Sequence, residues 1–154
     1  MTTDSQKQTA VDLTPGTDQR LVELNRIGFN HMVGLQLLRW TEQDCLAWLD
    51  IKPSHLNPAG LVHGGVFSTM LDVVLAMAGS FSPPPLHLMP GLTLNLNTQF
   101  ISAATAVDAK IYATAKKTGG GQSVFFSSGE VFTPDGRVLA SATGTFKPGR
   151  QPSS

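Results

Sequence analysis

Between Gly64 and Ser80, the side chains of Val66, Phe67, Met70, Leu71, Val73, Val74, Leu75, Met77 and Ala78 cover nearly the whole circumference of a helix. A helix that is apolar on all sides has to be enclosed by other structure. The sequence that follows supplies the enclosure. After Ser82-Pro83-Pro84-Pro85, four segments alternate with a period of two: Leu92 to Phe100, Val107 to Lys116, Ser123 to Phe132 and Arg137 to Phe146. Period-two alternation is the pattern of half-buried strands. In the first of them Leu92, Leu94, Leu96 and Phe100 share one face, and Thr93, Asn95, Asn97 and Gln99 the other. Glycine-bearing separators, Thr118 to Gly121 and Thr133 to Gly136, read as tight turns. Small residues such as Ala140, Ala142 and Gly144 let such a sheet curl closely.

Upstream, Asp18 to Asn30 carries Leu21, Val22, Leu24, Ile27 and Phe29 at near-helical spacing, with Asp18 placed to cap the helix. Val33 to Thr41 and Cys45 to Lys52, joined by Glu42-Gln43-Asp44, read as a hairpin, and the two prolines of Pro53 to Leu61 exclude regular structure there. The expected fold class is α+β: a long central helix wrapped by a curved antiparallel sheet of five to six strands. The later strands are expected to form a meander on one side of the helix, with an exposed edge that a second subunit would cover. Residues 1–17 are polar and read as a disordered leader, 18–148 as one domain, and 149–154 as a flexible tail.

Over the 55 residues from Pro53 to Val107 the only formal charge is Asp72. An isolated carboxylate in such surroundings is either paired internally or kept for chemistry. The chain as a whole is 14% charged, well under the roughly 25% of ordinary soluble domains, which points to subunit contacts. Eleven basic and eleven acidic residues cancel, so there is no basic field to attract nucleic acid. No uninterrupted run of about 18 apolar residues suggests a membrane span, and a cytoplasmic protein is expected. The single cysteine, Cys45, forms no internal disulfide and reads as a strand-interior side chain rather than a nucleophile.

Gly64 and Gly65 open the apolar helix, where backbone N–H groups lack intrahelical partners and the macrodipole is positive. Such an end can stabilise a carbonyl oxygen as it gains charge, although paired glycines can equally serve a tight loop-to-helix turn. Asp72 lies about 11–12 Å further along the same helix, at ~1.5 Å per residue. One substrate carbonyl cannot reach both within one chain. Either the two features are unrelated, with Asp72 a structural acceptor, or Asp72 completes the site of a second subunit. Asn57 can hold water or a carbonyl through its amide, and His63 can cap the turn or transfer protons. His55, His63 and Asp72 lack metal-ligand spacing, so no metal is expected.

The run Asn57-Pro58-Ala59-Gly60-Leu61-Val62-His63-Gly64-Gly65, followed by Asp72, resembles the hotdog-fold acyl-CoA thioesterases of the PaaI-like type. The resemblance extends over roughly His31 to Phe146. It implies two subunits joining sheets edge to edge, with two such dimers forming a tetramer. It also implies hydrolysis of an acyl- or aryl-acyl-CoA without a cofactor, coenzyme A being part of the substrate. By similarity Gly64, with Gly65, polarises the thioester carbonyl, and Asp72 of the partner acts as nucleophile or general base. Asn57 and His63 orient water and carbonyl, and Thr93 holds Asp72 or the water. Phe67, Met70, Leu71 and Met89 are candidates for an acyl slot. Lys116 and Lys117, with Lys147 and Arg150 behind them, are candidates for the coenzyme A phosphates. Two other classes share the fold: a hotdog hydratase or dehydratase, whose His-Phe-Pro type run is missing here, and a non-catalytic acyl-CoA-binding protein, which would not need Asp72.

Overall fold

A computed structural model describes residues 10–84 and 91–149; the expectations for residues 1–9 and 150–154 lie outside them. Six strands form one antiparallel sheet: β1 (Leu35–Trp40), β2 (Cys45–Asp50), β3 (Leu92–Phe100), β4 (Lys110–Gly120), β5 (Phe125–Phe132) and β6 (Val138–Lys147). Their spatial order is β1-β2-β4-β5-β6-β3, and the sheet is not closed. The meander is therefore β4 to β6. β3 does not join it at the near side but crosses to the far edge and pairs with β6.

The helix α3 (Gly64–Ala78) packs across this sheet, as expected of a central helix that is wrapped. Phe67, Met70, Leu71, Val74, Leu75 and Met77 are buried against Cys45, Ala47, Leu49, Ile111, Ala113, Phe125, Val131 and Ala140. Burying each large apolar side chain contributes about 1.5–3 kcal/mol. The small residues of the sheet set how closely the helix approaches. A Cβ at Gly129 would stand 2.8 Å from Leu75 Cδ1 and 2.4 Å from the Thr114 carbonyl oxygen, so only glycine fits beneath the helix there. At the other end Trp40 Nε1 donates to the Met77 carbonyl at 2.6 Å, satisfying an acceptor in the last turn.

The helix is not enclosed along its whole length. Val66, Thr69, Asp72 and Val73 remain half-buried, a stripe from the first turn to the middle of the helix that the described residues leave partly open.

Three local expectations are corrected. The helix expected over residues 18–30 divides into α1 (Arg20–Leu24) and α2 (Gly28–Val33). Asn25 breaks it by giving both ends of its amide to β1, Oδ1 accepting from Leu37 N at 2.7 Å and Nδ2 donating to Leu37 O at 2.9 Å. The leader is not free up to Thr17. Arg39 donates to the carbonyls of Asp12 and Thr14, and Gly16 N donates to Leu38 O at 2.8 Å, laying the segment against β1. Finally, β4 begins at Lys110 rather than Val107, because Ala106–Asp108 form a 3-10 turn under a Thr105 cap.

No helix among the described residues is long and apolar enough to cross a membrane.

Candidate active site

Pro53–His55 form a single 3-10 turn after β2, and the loop that follows is knitted by its own polar groups. Asn57 Oδ1 accepts from Ala59 N at 2.9 Å and Leu61 N at 3.1 Å, while Asn57 N donates to Leu61 O at 2.7 Å. The Asn57 side-chain oxygen is thus used up in shaping the loop, and its Nδ2 has no partner among the described residues. Val62 N donates to Ala104 O at 2.8 Å, tying the loop to the chain just beyond β3.

His63 is the N-cap of α3, in an extended conformation, and its Nδ1 accepts from Gly65 N at 2.9 Å. A lone pair at Nδ1 requires the proton to sit on Nε2, so this assigns a neutral tautomer. The bond also takes the Gly65 N–H, which was expected to help bind substrate. Gly64 N–H is left as the first-turn amide without a protein acceptor among the described residues. Glycine is required at 65 for the cap itself, since a Cβ there would lie 2.9 Å from His63 Nδ1.

Gly64 lies against the ring of Phe100, the last residue of β3; a Cβ on Gly64 would stand 3.0 Å from Phe100 Cε1. Asn57, Leu61, Gly64, Phe67, Phe100 and Ile101 line one open cavity of about 360 Å³. No charged side chain among the described residues lines it.

Asp72 is not in this cavity. Its Oδ1 accepts a 2.6 Å hydrogen bond from Thr93 Oγ1, near the beginning of β3. Simple alternation puts Thr93 on the face opposite Leu96. A register irregularity between Thr93 and Asn95 removes that conflict, letting both Thr93 and Leu96 turn toward α3. Thr93 and Phe100 are seven residues apart, about 23 Å at ~3.3 Å per residue of strand. One chain therefore holds the acid at one end of β3 and the free amide at the other.

The remaining expected residues separate. Phe67 lines the cavity, whereas Met70 and Leu71 are fully buried core. Met89 lies outside the described residues. Lys116 lines a different cavity of about 690 Å³ with Asn97, Gln99, Glu130, Ser141 and Thr143, on the face of the sheet turned away from α3. Lys117 stands beside Phe81, Pro83 and Glu42 at the C-terminal end of α3. Neither lysine reaches the Gly64 cavity. No cluster of three or more metal-ligating side chains occurs among the described residues. Phe100, which the strand pattern placed on an apolar face but did not single out, is the site residue missed; its contact with Gly64 joins residues far apart in sequence.

A family model described as Thioesterase superfamily matches residues 59–140. A provisionally named esterase of Pseudomonas aeruginosa is 34% identical over 99 residues, 64% of this chain and 70% of that protein. Among solved structures, zebra fish thioesterase superfamily member 2 superposes with a TM-score of 0.72 at 22% identity, covering 90% of this chain and all of that one. A variant of the phenylacetic acid degradation protein PaaI from Thermus thermophilus superposes with a TM-score of 0.66 at 21% identity, covering 77% and 96%.

Proposed function

As this chain belongs to the thioesterase superfamily and has its hotdog fold, we propose that it hydrolyses acyl-CoA thioesters at a site shared between two subunits. The observation that carries this reading is the division of polar groups along β3: Asp72 with Thr93 at its beginning, Gly64 with Phe100 at its end. β3 is an edge strand. Leu92, Leu94, Phe100 and Ile101, on or just beyond it, are 65%, 56%, 61% and 57% exposed. An antiparallel pairing of two such edges about a two-fold axis sets the beginning of one β3 beside the end of the other. Asp72 of one subunit then faces Gly64 of the next, and the half-buried stripe of α3 is covered.

At that junction the Gly64 N–H receives the thioester oxygen as it becomes an oxyanion, and the positive end of α3 adds to the effect. Thr93 fixes the Asp72 carboxylate through Oδ1 and leaves Oδ2 for chemistry. Asp72 either takes a proton from a water that attacks the acyl carbon, or attacks that carbon itself, the mixed anhydride then being opened by water. Both routes break the C–S bond and end with free acid and coenzyme A. Asn57 Nδ2 orients the water or carbonyl, and His63 holds the first turn of α3 in place. The uncharged cavity with Phe67 and Phe100 receives the acyl or aryl group.

Release of free thiol from a panel of acyl-CoAs, with wild type and Asp72→Asn, tests the reading. Turnover by wild type and its loss in the variant are expected. Tight acyl-CoA binding without turnover would replace hydrolysis with a binding function.

A further inference from the structure

His55 is the buried histidine among the described residues, 6% exposed, and none of the chemistry above uses it. Its Nε2 lies 2.8 Å from the Val33 carbonyl oxygen, which can only accept, so Nε2 carries the proton. Nδ1 is then the acceptor for Lys52 N–H at 3.0 Å. Both ring nitrogens are spent on backbone, in one tautomer. The backbone oxygen of the same residue accepts from His63 N at 2.8 Å, and His63 Nδ1 accepts from Gly65 N. A continuous chain of hydrogen bonds thus runs from the end of α2, through the His55 ring, to the two residues that flank Gly64.

We propose that His55 is a positioning residue: it pins the 3-10 turn after β2 to the end of α2, so that the His63 cap holds the Gly64 N–H toward the cavity. The inference rests on the thioesterase reading for its catalytic consequence, though not for the linkage itself. A misplacement of about 1 Å at the reacting groups can lower turnover about 10²-fold. Replacement of the ring by one of similar volume without polar atoms, His55→Phe, leaves the core filled and removes both bonds. His55→Gln keeps a donor at the position of Nε2, and His55→Asn keeps only the acceptor for Lys52.

The test compares kcat and KM of these variants for one acyl-CoA, together with amide hydrogen exchange at Gly65 and Val74. Expected are a kcat lowered about 10²-fold in His55→Phe with KM nearly unchanged, and substantial recovery in His55→Gln. Exchange at Gly65 is expected to quicken in His55→Phe, with Val74 unaffected. If His55→Phe does not fold, His55→Asn reads the same link to Val33. A wild-type kcat in either His55→Phe or His55→Asn, or slowed turnover with Gly65 and Val74 exchanging equally faster, would overturn the proposal. If no acyl-CoA is turned over by wild type, the Gly65 exchange alone decides the linkage, separately from the thioesterase reading.

Discussion

Thr93 donates its hydroxyl hydrogen to Asp72 Oδ1 across 2.6 Å, joining the start of the edge strand to the middle of the buried helix. The bond orients the one charge of the central region and leaves its second oxygen without a partner among the described residues. Gly64, on the same helix, contacts the opposite end of the same strand, so the carboxylate and the free amide of one chain stand apart, as the proposed two-subunit site requires.

Thr93→Val removes the hydroxyl at nearly constant volume. A hydrogen bond to a charged group is worth about 1.5–3 kcal/mol, so kcat is expected to fall roughly 10- to 150-fold. Thr93→Ser keeps the donor and is expected to remain within a few-fold of wild type. Steady-state thiol release measures both.

Gly64→Pro deletes the proposed oxyanion donor. Proline is well tolerated at the first position of a helix, and His63, at φ −62° and ψ 135°, already has the extended conformation a following proline requires. Loss of one such donor lowers kcat about 10²- to 10³-fold. Gly64→Ala keeps the N–H, and its methyl meets only the end of the Phe100 ring; paired with Phe100→Leu it is expected to retain most turnover. Equal losses in the proline and alanine variants would assign the effect to crowding instead.

Leu94 occupies the irregular point of β3 and is 56% exposed. A lysine there charges the edge that would pair with a second copy. Leu94→Lys is expected to elute as a monomer in size-exclusion chromatography with light scattering, and to lose thiol release while keeping its circular dichroism.

The strap at the N-terminus gives a pH-dependent prediction. The hydrogen bond from Arg39 holds the Asp44 carboxyl below its ordinary value of 3.8, with Thr41 helping and burial opposing. A carboxyl depressed on folding contributes stability above that ordinary value and loses it as the pH falls through the folded-state value. The stability difference between wild type and Arg39→Met, from urea denaturation, is therefore expected to be largest near about pH 6 and to shrink below about pH 4. Arg39→Met also removes the donors to Asp12 and Thr14, and faster proteolysis before Gly16 is expected at neutral pH.

Helix α3 and the hairpin β1–β2 were legible because their patterns are local: an all-round apolar helix bounded by glycines, and two runs flanking a polar turn. The break after Leu24 was not, since Asn25 bonds to a strand twelve residues away, and a tertiary hydrogen bond leaves no mark on helical periodicity. The β4–β5 turn fell later than the glycines suggested: pairing continues through Gly120 and the chain reverses over residues 121–124. Within the site, Asp72 and Gly64 stood out by charge and by position at a helix start. That Gly65 spends its N–H on His63, and that Asn57 turns its oxygen inward, depends on side-chain rotamers that spacing does not encode. Phe100 was hidden for a related reason, its partner being reached only when the strand crosses to the far edge of the sheet.

The shared site is tested most directly by mixing subunits. Gly64→Pro and Asp72→Asn, each inactive alone, leave one intact site in every mixed dimer: Gly64 from the second variant facing Asp72 from the first. Equal mixing with full exchange is expected to restore about a quarter of wild-type thiol release, since about half the dimers are mixed and each has one working site of two. No recovery, with exchange proven by differently tagged chains, would contradict a site built from two subunits.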